Sequence, residues 1–359
     1  MTGIDRRTLL KAGLATSGGM ALGLGLTTAG PAQAAPRVDR TLVKGLGVPW
    51  GIAFLPNGNA LVGERDSGDV NVVRRTGGRQ RVGNLDVFSQ KSSAGESGLL
   101  GLALHPDFAA NRLVFAYLST RSDNRIVRMR YADGALSAPQ VVLADIPMNV
   151  HHNGGGLVFG PDGLLYASTG DGEVGSRAQS ETSLGGKVLR LTPDGGVPAG
   201  NPFGNYTWSM GHRNVEGITF DARGTLWASE FGEKGADELN RIEPGANYGW
   251  PRVEGSDGSG GFRDPLTEWS PTSICSPAGV AVANSRAWLG ALRGECVYSV
   301  QLRGPDSGAK RRHFTGRFGR IRQVAAAPDG SLWITTSNRD GRGTPEAGDD
   351  KVIRIALTS

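Results

Sequence analysis

The sequence predicts an all-β fold: a six-bladed β-propeller of four-stranded antiparallel blades. Three observations carry that prediction. A short phrase, a small residue and an apolar run followed by a turn and a second apolar run, recurs six times along the chain. Another strand-like run follows most of the copies. After the N-terminal segment, no window combines a 3.6-residue apolar period with capping residues. A single meander of this kind cannot bury both of its faces, and packing six around an axis buries them against one another.

In chain order, the first segment reads as an address. Asp5-Arg6-Arg7-Thr8-Leu9-Leu10-Lys11 is a twin-arginine motif, a Gly/Ala/Leu-rich run follows, and Ala32-Gln33-Ala34 is a small-x-small cleavage site. Residues 1–34 are therefore expected to be a signal peptide, and residues 35–359 the propeller. Residues 38–44 are expected to close the ring by adding a strand to the last blade. The first copy is Gly51-Ile52-Ala53-Phe54-Leu55-Pro56-Asn57-Gly58 before Ala60-Leu61-Val62. The second is Gly101-Leu102-Ala103-Leu104-His105-Pro106-Asp107-Phe108 before Leu113-Val114-Phe115. The third, Gly156-Leu157-Val158-Phe159-Gly160-Pro161-Asp162-Gly163, leads into Leu165-Tyr166-Ala167. The fourth, Gly217-Ile218-Thr219-Phe220-Asp221-Ala222-Arg223-Gly224, leads into Leu226-Trp227-Ala228. Gly279-Val280-Ala281-Val282 leads into Ala287-Trp288-Leu289, and Gln323-Val324-Ala325-Ala326-Ala327-Pro328-Asp329-Gly330 into Leu332-Trp333-Ile334. The third strands are expected at 70–73, 126–129, 187–191, 238–242, 296–300 and 351–355. The long insertions, 172–183, 193–212, 232–237, 245–269 and 337–349, mark the functional rim, because a propeller's loops collect at its channel mouths.

Composition narrows the function. The 56 glycines among 359 residues lack a period of three, so they indicate tight turns and not collagen. Loss of residues 1–34 removes three basic groups and one acid, leaving 36 against 33. With a near-balanced charge and no Lys/Arg run longer than the three of Lys310-Arg311-Arg312, nucleic-acid binding is disfavoured. No apolar stretch after the signal is long enough to span a membrane. Cys275 and Cys296, the only cysteines, could bridge neighbouring strands in an oxidising compartment or remain as buried thiols.

The residues able to do chemistry sit at the loops. His152, at the head of the third copy, is followed by Asn153-Gly154-Gly155-Gly156, glycines that leave room for a planar ligand. It is the candidate base. Alternation sends His151 to the opposite side. In Gly211-His212-Arg213-Asn214, an Arg-Asn pair can clamp a carboxylate or a quinone oxygen. Arg320 and Arg322 flank Ile321 and point the same way, so an acid or an anionic ligand must lie between them. Arg293 could add a third guanidinium, and inter-blade ion pairing with Asp and Glu is the alternative reading. Asp237, Glu238 and loop carbonyls are hard oxygen ligands of the kind Ca²⁺ takes. A zinc cluster, a P-loop, a dinucleotide-binding fingerprint and a Gly-x-Ser-x-Gly elbow are all missing.

Together these stretches resemble the soluble PQQ-dependent sugar dehydrogenases, the glucose/sorbosone dehydrogenase family that includes aldose sugar dehydrogenases. The likeness is carried by Gly98-Leu99-Leu100-Gly101-Leu102-Ala103-Leu104-His105-Pro106-Asp107-Phe108, by His152 through Asp171, and by Leu184-Gly185-Gly186-Lys187-Val188-Leu189-Arg190. It continues in Gly211-His212-Arg213-Asn214, Asp237-Glu238-Leu239-Asn240 and Asn247-Tyr248-Gly249-Trp250-Pro251. The resemblance implies PQQ, a flat tricarboxylate quinone, with Ca²⁺, oxidation of the C1 hydroxyl of an aldose to an aldonolactone, and electron transfer to an external acceptor. It implies His152 as catalytic base. Arg213, Asn214, Arg293, Arg320 and Arg322 would contact the cofactor, and Glu96 would stand in the cofactor loop. Gly232 and Glu233 would offer carbonyls to the cofactor calcium, and Glu238 with the Tyr248 carbonyl would form a further calcium site. Three departures stand out: Glu96 replaces a frequent Gln, Glu233 replaces a frequent Pro, and Arg293 replaces a Lys. A carboxylate at 96 beside a tricarboxylate is unfavourable unless something neutralises it. The rival readings are a calcium-dependent propeller lactonase, which needs carboxylates converging on the axis, and a non-catalytic propeller that binds a sugar or a partner. Export to the secreted or periplasmic side and a monomeric state are expected, since ring closure leaves no obligatory open edge.

Overall fold

The antiparallel pairings follow the repeats. In the computed structural model, which describes residues 35–258 and 260–357, six sheets each take up one copy of the phrase. The first blade is Pro49–Phe54, Ala60–Glu64, Asp69–Val73 and Arg79–Asn84. The second is Leu99–Leu104, Leu113–Ser119, Asn124–Ala132 and Gln140–Ile146, with a short Ala135–Leu136 strand added to its third member. The third is Leu157–Phe159, Leu165–Ser168, Lys187–Leu191 and Thr207–Met210; the fourth is Val215–Phe220, Leu226–Glu230, Asp237–Ile242 and Thr267–Trp269. The fifth is Pro277–Ala283, Arg286–Ala291, Cys296–Gln301 and Lys310–His313. The sixth is Ile321–Ala326, Leu332–Thr336 and Lys351–Ala356, completed by Arg37–Lys44, the strand anticipated to close the ring.

The innermost strands touch their neighbours in a closed circle, Pro49–Phe54 meeting both Leu99–Leu104 and Ile321–Ala326. The apolar side chains explain why. Among the described residues they form six buried clusters, one at each blade–blade interface. The cluster between sixth and first blades joins Leu42, Val43 and Trp333 to Val62 and Val73. N- and C-terminal segments are thus fastened by the same burial that joins blades elsewhere. Contacts gather the chain from Ala35 onward into one unit.

Several expectations need correction or qualification. The signal peptide, residues 1–34, lies outside the described residues. A four-residue α-helix, Phe108–Asn111, stands where no helix was expected, and it is too short for an apolar period to register. Cys275 and Cys296 are free thiols, both packed into the apolar core between fourth and fifth blades. Burial, the largest influence on each, raises both thiols above their ordinary 9.0. Among the described residues no helix is long and apolar enough to cross a membrane.

Candidate active site

Loops from five blades converge on a cavity of about 520 Å³ at one mouth of the ring. Glu96 comes from the segment before the second blade, and His151 and His152 from the one before the third. Arg213, Gly232, Glu233 and Asp237 belong to the fourth, Thr272, Ser276 and Arg293 to the fifth, and Arg320 and Arg342 to the sixth. The opposite end of the axis holds a second cavity, of about 420 Å³, lined largely by apolar residues of the inner strands.

His152 is the best-oriented group at the mouth. Its Nδ1 lies 2.7 Å from Asp171 Oδ1, and the Trp250 indole N–H donates to Asp171 Oδ2 at 2.9 Å. Burial alone would raise the Asp171 carboxyl. The hydrogen bond and charge of His152, with the Trp250 and Glu173 N–H groups, instead hold it below its ordinary 3.8. An ionised Asp171 accepts only, so in the neutral imidazole the ring proton belongs on Nδ1 and Nε2 carries the lone pair. The backbone of His152 is left-handed, with φ 57°. That conformation costs on the order of 1–3 kcal/mol in a non-glycine residue. It is held by the Glu96 carboxylate, which accepts the His152 backbone N–H at 2.9 Å.

Two sequence-level arguments fail here for physical reasons. His151 also lines the cavity, paired with Glu173 at 2.9 Å. Alternation does not apply, because both histidines lie in a loop and the strand starts only at Leu157. The glycine triplet does not make room for a ligand. A Cβ on Gly154 would strike Thr169 and one on Gly156 Ser168, both in the same blade, while one on Gly155 would strike Leu100 of the second blade, so these glycines serve close packing of the chain.

The arginines divide into two groups. Among the described residues, Arg213 and Arg293 have no carboxylate within ion-pair distance, and both line the cavity. Arg213 lies 5.3 Å from the Trp250 ring centroid and its Nε is buried without a hydrogen-bond partner. Neighbouring Asn214 is fully buried; its Oδ1 takes the Gly154 N–H and its Nδ2 has no partner. Arg320 and Arg322 share the acid that their alternation requires, Asp340, at 2.9 Å and 3.8 Å. Arg322 also pairs with Glu216 of the fourth blade, is 3% exposed, and is not among the cavity-lining residues. It fits the alternative reading, inter-blade pairing. Removing one partner of such a buried pair costs about 3–5 kcal/mol.

Glu96, the awkward departure, is neutralised by a residue the sequence reading missed. Arg342 Nη1 reaches its Oε1 at 3.0 Å, and the Arg342 backbone N–H donates to Asp340. Burial would raise the Glu96 carboxyl, and Arg342, with the His152 N–H, brings it below its ordinary 4.5. No local pattern could pair them, since 246 residues separate the two. Asp171 was visible as Gly170-Asp171 after the second run of the third copy, but nothing local tied it to His152.

The second polar cluster splits. Gly232 and Glu233 lie on the cavity, while Glu238 and Tyr248 do not line it. Glu238 stands opposite Glu230 across adjacent strands. Burial first, and the Glu230 charge second, push its carboxyl up to about 8. Glu230 accepts from His212 Nδ1 at 2.8 Å, and His212 stacks on Tyr248 with centroids 4.6 Å apart. Asn240 donates to both carboxylates while its own Oδ1 is buried without a partner. Two close carboxylates beside an idle amide oxygen are a donor set that suits a hard divalent cation. Among the described residues no group of three or more His, Cys, Asp or Glu is placed to hold a metal by itself, so carbonyls would have to complete any such site.

Residues 46–345 match the family described as Glucose / Sorbosone dehydrogenase. The chain belongs to this family. The PQQ-bound form of aldose sugar dehydrogenase from Streptomyces coelicolor is 45% identical, covering 90% of this chain and 98% of that one, with a TM-score of 0.85. Aldose sugar dehydrogenase YliI of Escherichia coli is 29% identical over 82% of this chain and 88% of its own. Quinoprotein glucose dehydrogenase B of Acinetobacter calcoaceticus is 28% identical over 70% and 62%. For this glucose/sorbosone dehydrogenase the cavity's chemistry suits such a cofactor. Two uncompensated guanidiniums line the cavity, one with an idle buried Nε, and they suit an anionic guest; Asn214, whose Nδ2 is also idle, is buried behind Arg213 and is not among the cavity-lining residues.

Proposed function

We propose that this protein is an exported, PQQ- and Ca²⁺-dependent aldose dehydrogenase that oxidises the C1 hydroxyl of aldose sugars to aldonolactones. One observation carries the reading: an imidazole with a fixed tautomer and two unpaired guanidiniums face the same cavity. When bound, PQQ supplies the two-electron acceptor for the C1 hydride, and Ca²⁺ acts as a Lewis acid on its carbonyl.

The chain's own residues do the rest. His152 Nε2 takes the C1 hydroxyl proton, and Asp171 stabilises the imidazolium that results. Arg213, Arg293 and Arg320 bind and orient the cofactor's carboxylates, with Asn214 donating beside them; Arg322 acts from beneath by fixing Asp340 between itself and Arg320. Arg342 cancels the Glu96 charge so that an anion can lie alongside it. Gly232 and Glu233 carbonyls hold the cofactor calcium, and Glu238 with the Tyr248 carbonyl holds another. The twin-arginine segment sends the folded protein out of the cytoplasm, where it acts as a monomer and passes electrons to an external acceptor.

Titrating purified protein with PQQ in the presence of Ca²⁺ tests the binding half of this reading. Saturable uptake is expected, weakened at least about tenfold in Arg213→Ala and Arg293→Ala, each of which removes a charge-assisted contact. Uptake by both variants equal to that of the parent would contradict the anion clamp.

A further inference from the structure

We infer that Glu254 is a positioning residue that builds the calcium-binding loop of this enzyme; the inference rests on the proposed role of Gly232 and Glu233. One oxygen of Glu254, Oε1, accepts four consecutive backbone N–H groups. These are Glu233 at 2.5 Å, Lys234 at 3.0 Å, Gly235 at 3.0 Å and Ala236 at 3.2 Å. Successive N–H groups turned toward one anion form a nest, an arrangement an irregular loop does not hold without the anion at its centre. The carboxylate packs so closely that a Cβ on Gly232 would collide with that oxygen and with the Ala236 carbonyl.

The geometry fixes the loop from three sides. Glu254 gathers the N–H groups of residues 233–236 inward around a single oxygen. Asp237 ties both ends, accepting Gly232 N–H at 3.0 Å and Ser276 N–H at 2.7 Å. Thr272 Oγ1 donates to the Glu233 carbonyl at 3.4 Å. The loop itself, Gly232-Glu233-Lys234-Gly235-Ala236, contains two glycines and no proline, so its sequence supplies no stiffness. Glu254 supplies it from 18 to 21 residues away. The next residue, Gly255, donates its N–H to Glu238 Oε1 at 2.7 Å, so the same segment reaches both proposed calcium positions.

The test uses the full-length protein and two variants, Glu254→Gln and Glu254→Ala. Amide hydrogen exchange of residues 232–237 is followed without cofactor, and Ca²⁺-dependent PQQ uptake is measured separately. In Glu254→Ala, exchange across this loop should rise about tenfold or more while the His152 loop keeps its protection, because four bonds to one charge are lost together. The Ca²⁺ concentration for half-maximal PQQ uptake should rise about tenfold, with kcat recovered at saturating Ca²⁺. Glu254→Gln keeps the acceptor oxygen without the charge and should fall between parent and Glu254→Ala on both readouts. Unchanged loop exchange in both variants overturns the inference. Loosened exchange with an unchanged Ca²⁺ requirement overturns its link to calcium. Parent protein that takes up PQQ without regard to Ca²⁺ overturns the cradle itself, a different failure, which the exchange experiment distinguishes.

Discussion

His152 is held in a left-handed backbone conformation between two carboxylates with different duties. Glu96 grips its backbone N–H and Asp171 grips its ring. The strain is of order 1–3 kcal/mol, and a charge-assisted hydrogen bond of about 1.5–3 kcal/mol offsets it. Asp171→Asn keeps the shape and removes the tautomer control. We expect kcat to fall by about 10²–10⁴ with PQQ affinity little changed, as measured by steady-state dye reduction and cofactor titration. The same residue predicts an acid limb. Its folded pKa lies below the ordinary 3.8, so its contribution to stability is present above pH 3.8 and is lost as pH falls through the folded value. Acid unfolding of Asp171→Asn followed by circular dichroism should therefore show a shallower decline below pH 3.8 than the parent.

The elements were easier to read than the residues they carry. The second strands of blades, such as Leu226–Glu230 and Leu332–Thr336, are wholly buried runs ended by turns, a pattern set by local chemistry and therefore visible in the sequence. The rim is made by contacts between loops far apart in the chain, and those were only partly visible. His152, Arg213 and Arg320 were found because each stands at the head of a repeat, and Arg293 because it follows the second run of the fifth. Arg342 and Glu254 were missed, and Trp250 was seen only as part of a motif and not as a partner of Asp171, because each acts from inside an insertion with no periodicity. Arg322 was legible as charged but not as buried beneath the mouth. The fourth blade makes a prediction of its own. Glu238 is raised to about 8, chiefly by burial and then by Glu230, so below that pH a cation must displace its proton. The rise in Tm on adding Ca²⁺ should grow between about pH 6 and 9 and should lose that growth in Glu238→Gln. A calcium-induced shift independent of pH in the parent would remove Glu238 from the ligand set.

At the scale of the molecule, ring closure makes the site possible. The strand Arg37–Lys44 locks the sixth blade to the N-terminal segment, and the inner strands then hold loops of five blades around one mouth. The floor of that mouth is an ion chain in which Glu216, Arg322, Asp340 and Arg320 join the fourth and sixth blades. The Arg342 backbone and side chain extend it to Glu96 and so to His152. The base is therefore anchored to the propeller itself and not to its own loop alone. The most direct measurement is aldose-dependent dye reduction after loading the purified protein and its His152→Ala variant with PQQ and Ca²⁺. The parent should reduce dye with at least one aldose, and the variant should bind PQQ equally while turning over at least about 10²-fold more slowly. A loaded parent that reduces dye with no aldose, or a variant as active as the parent, would contradict the account.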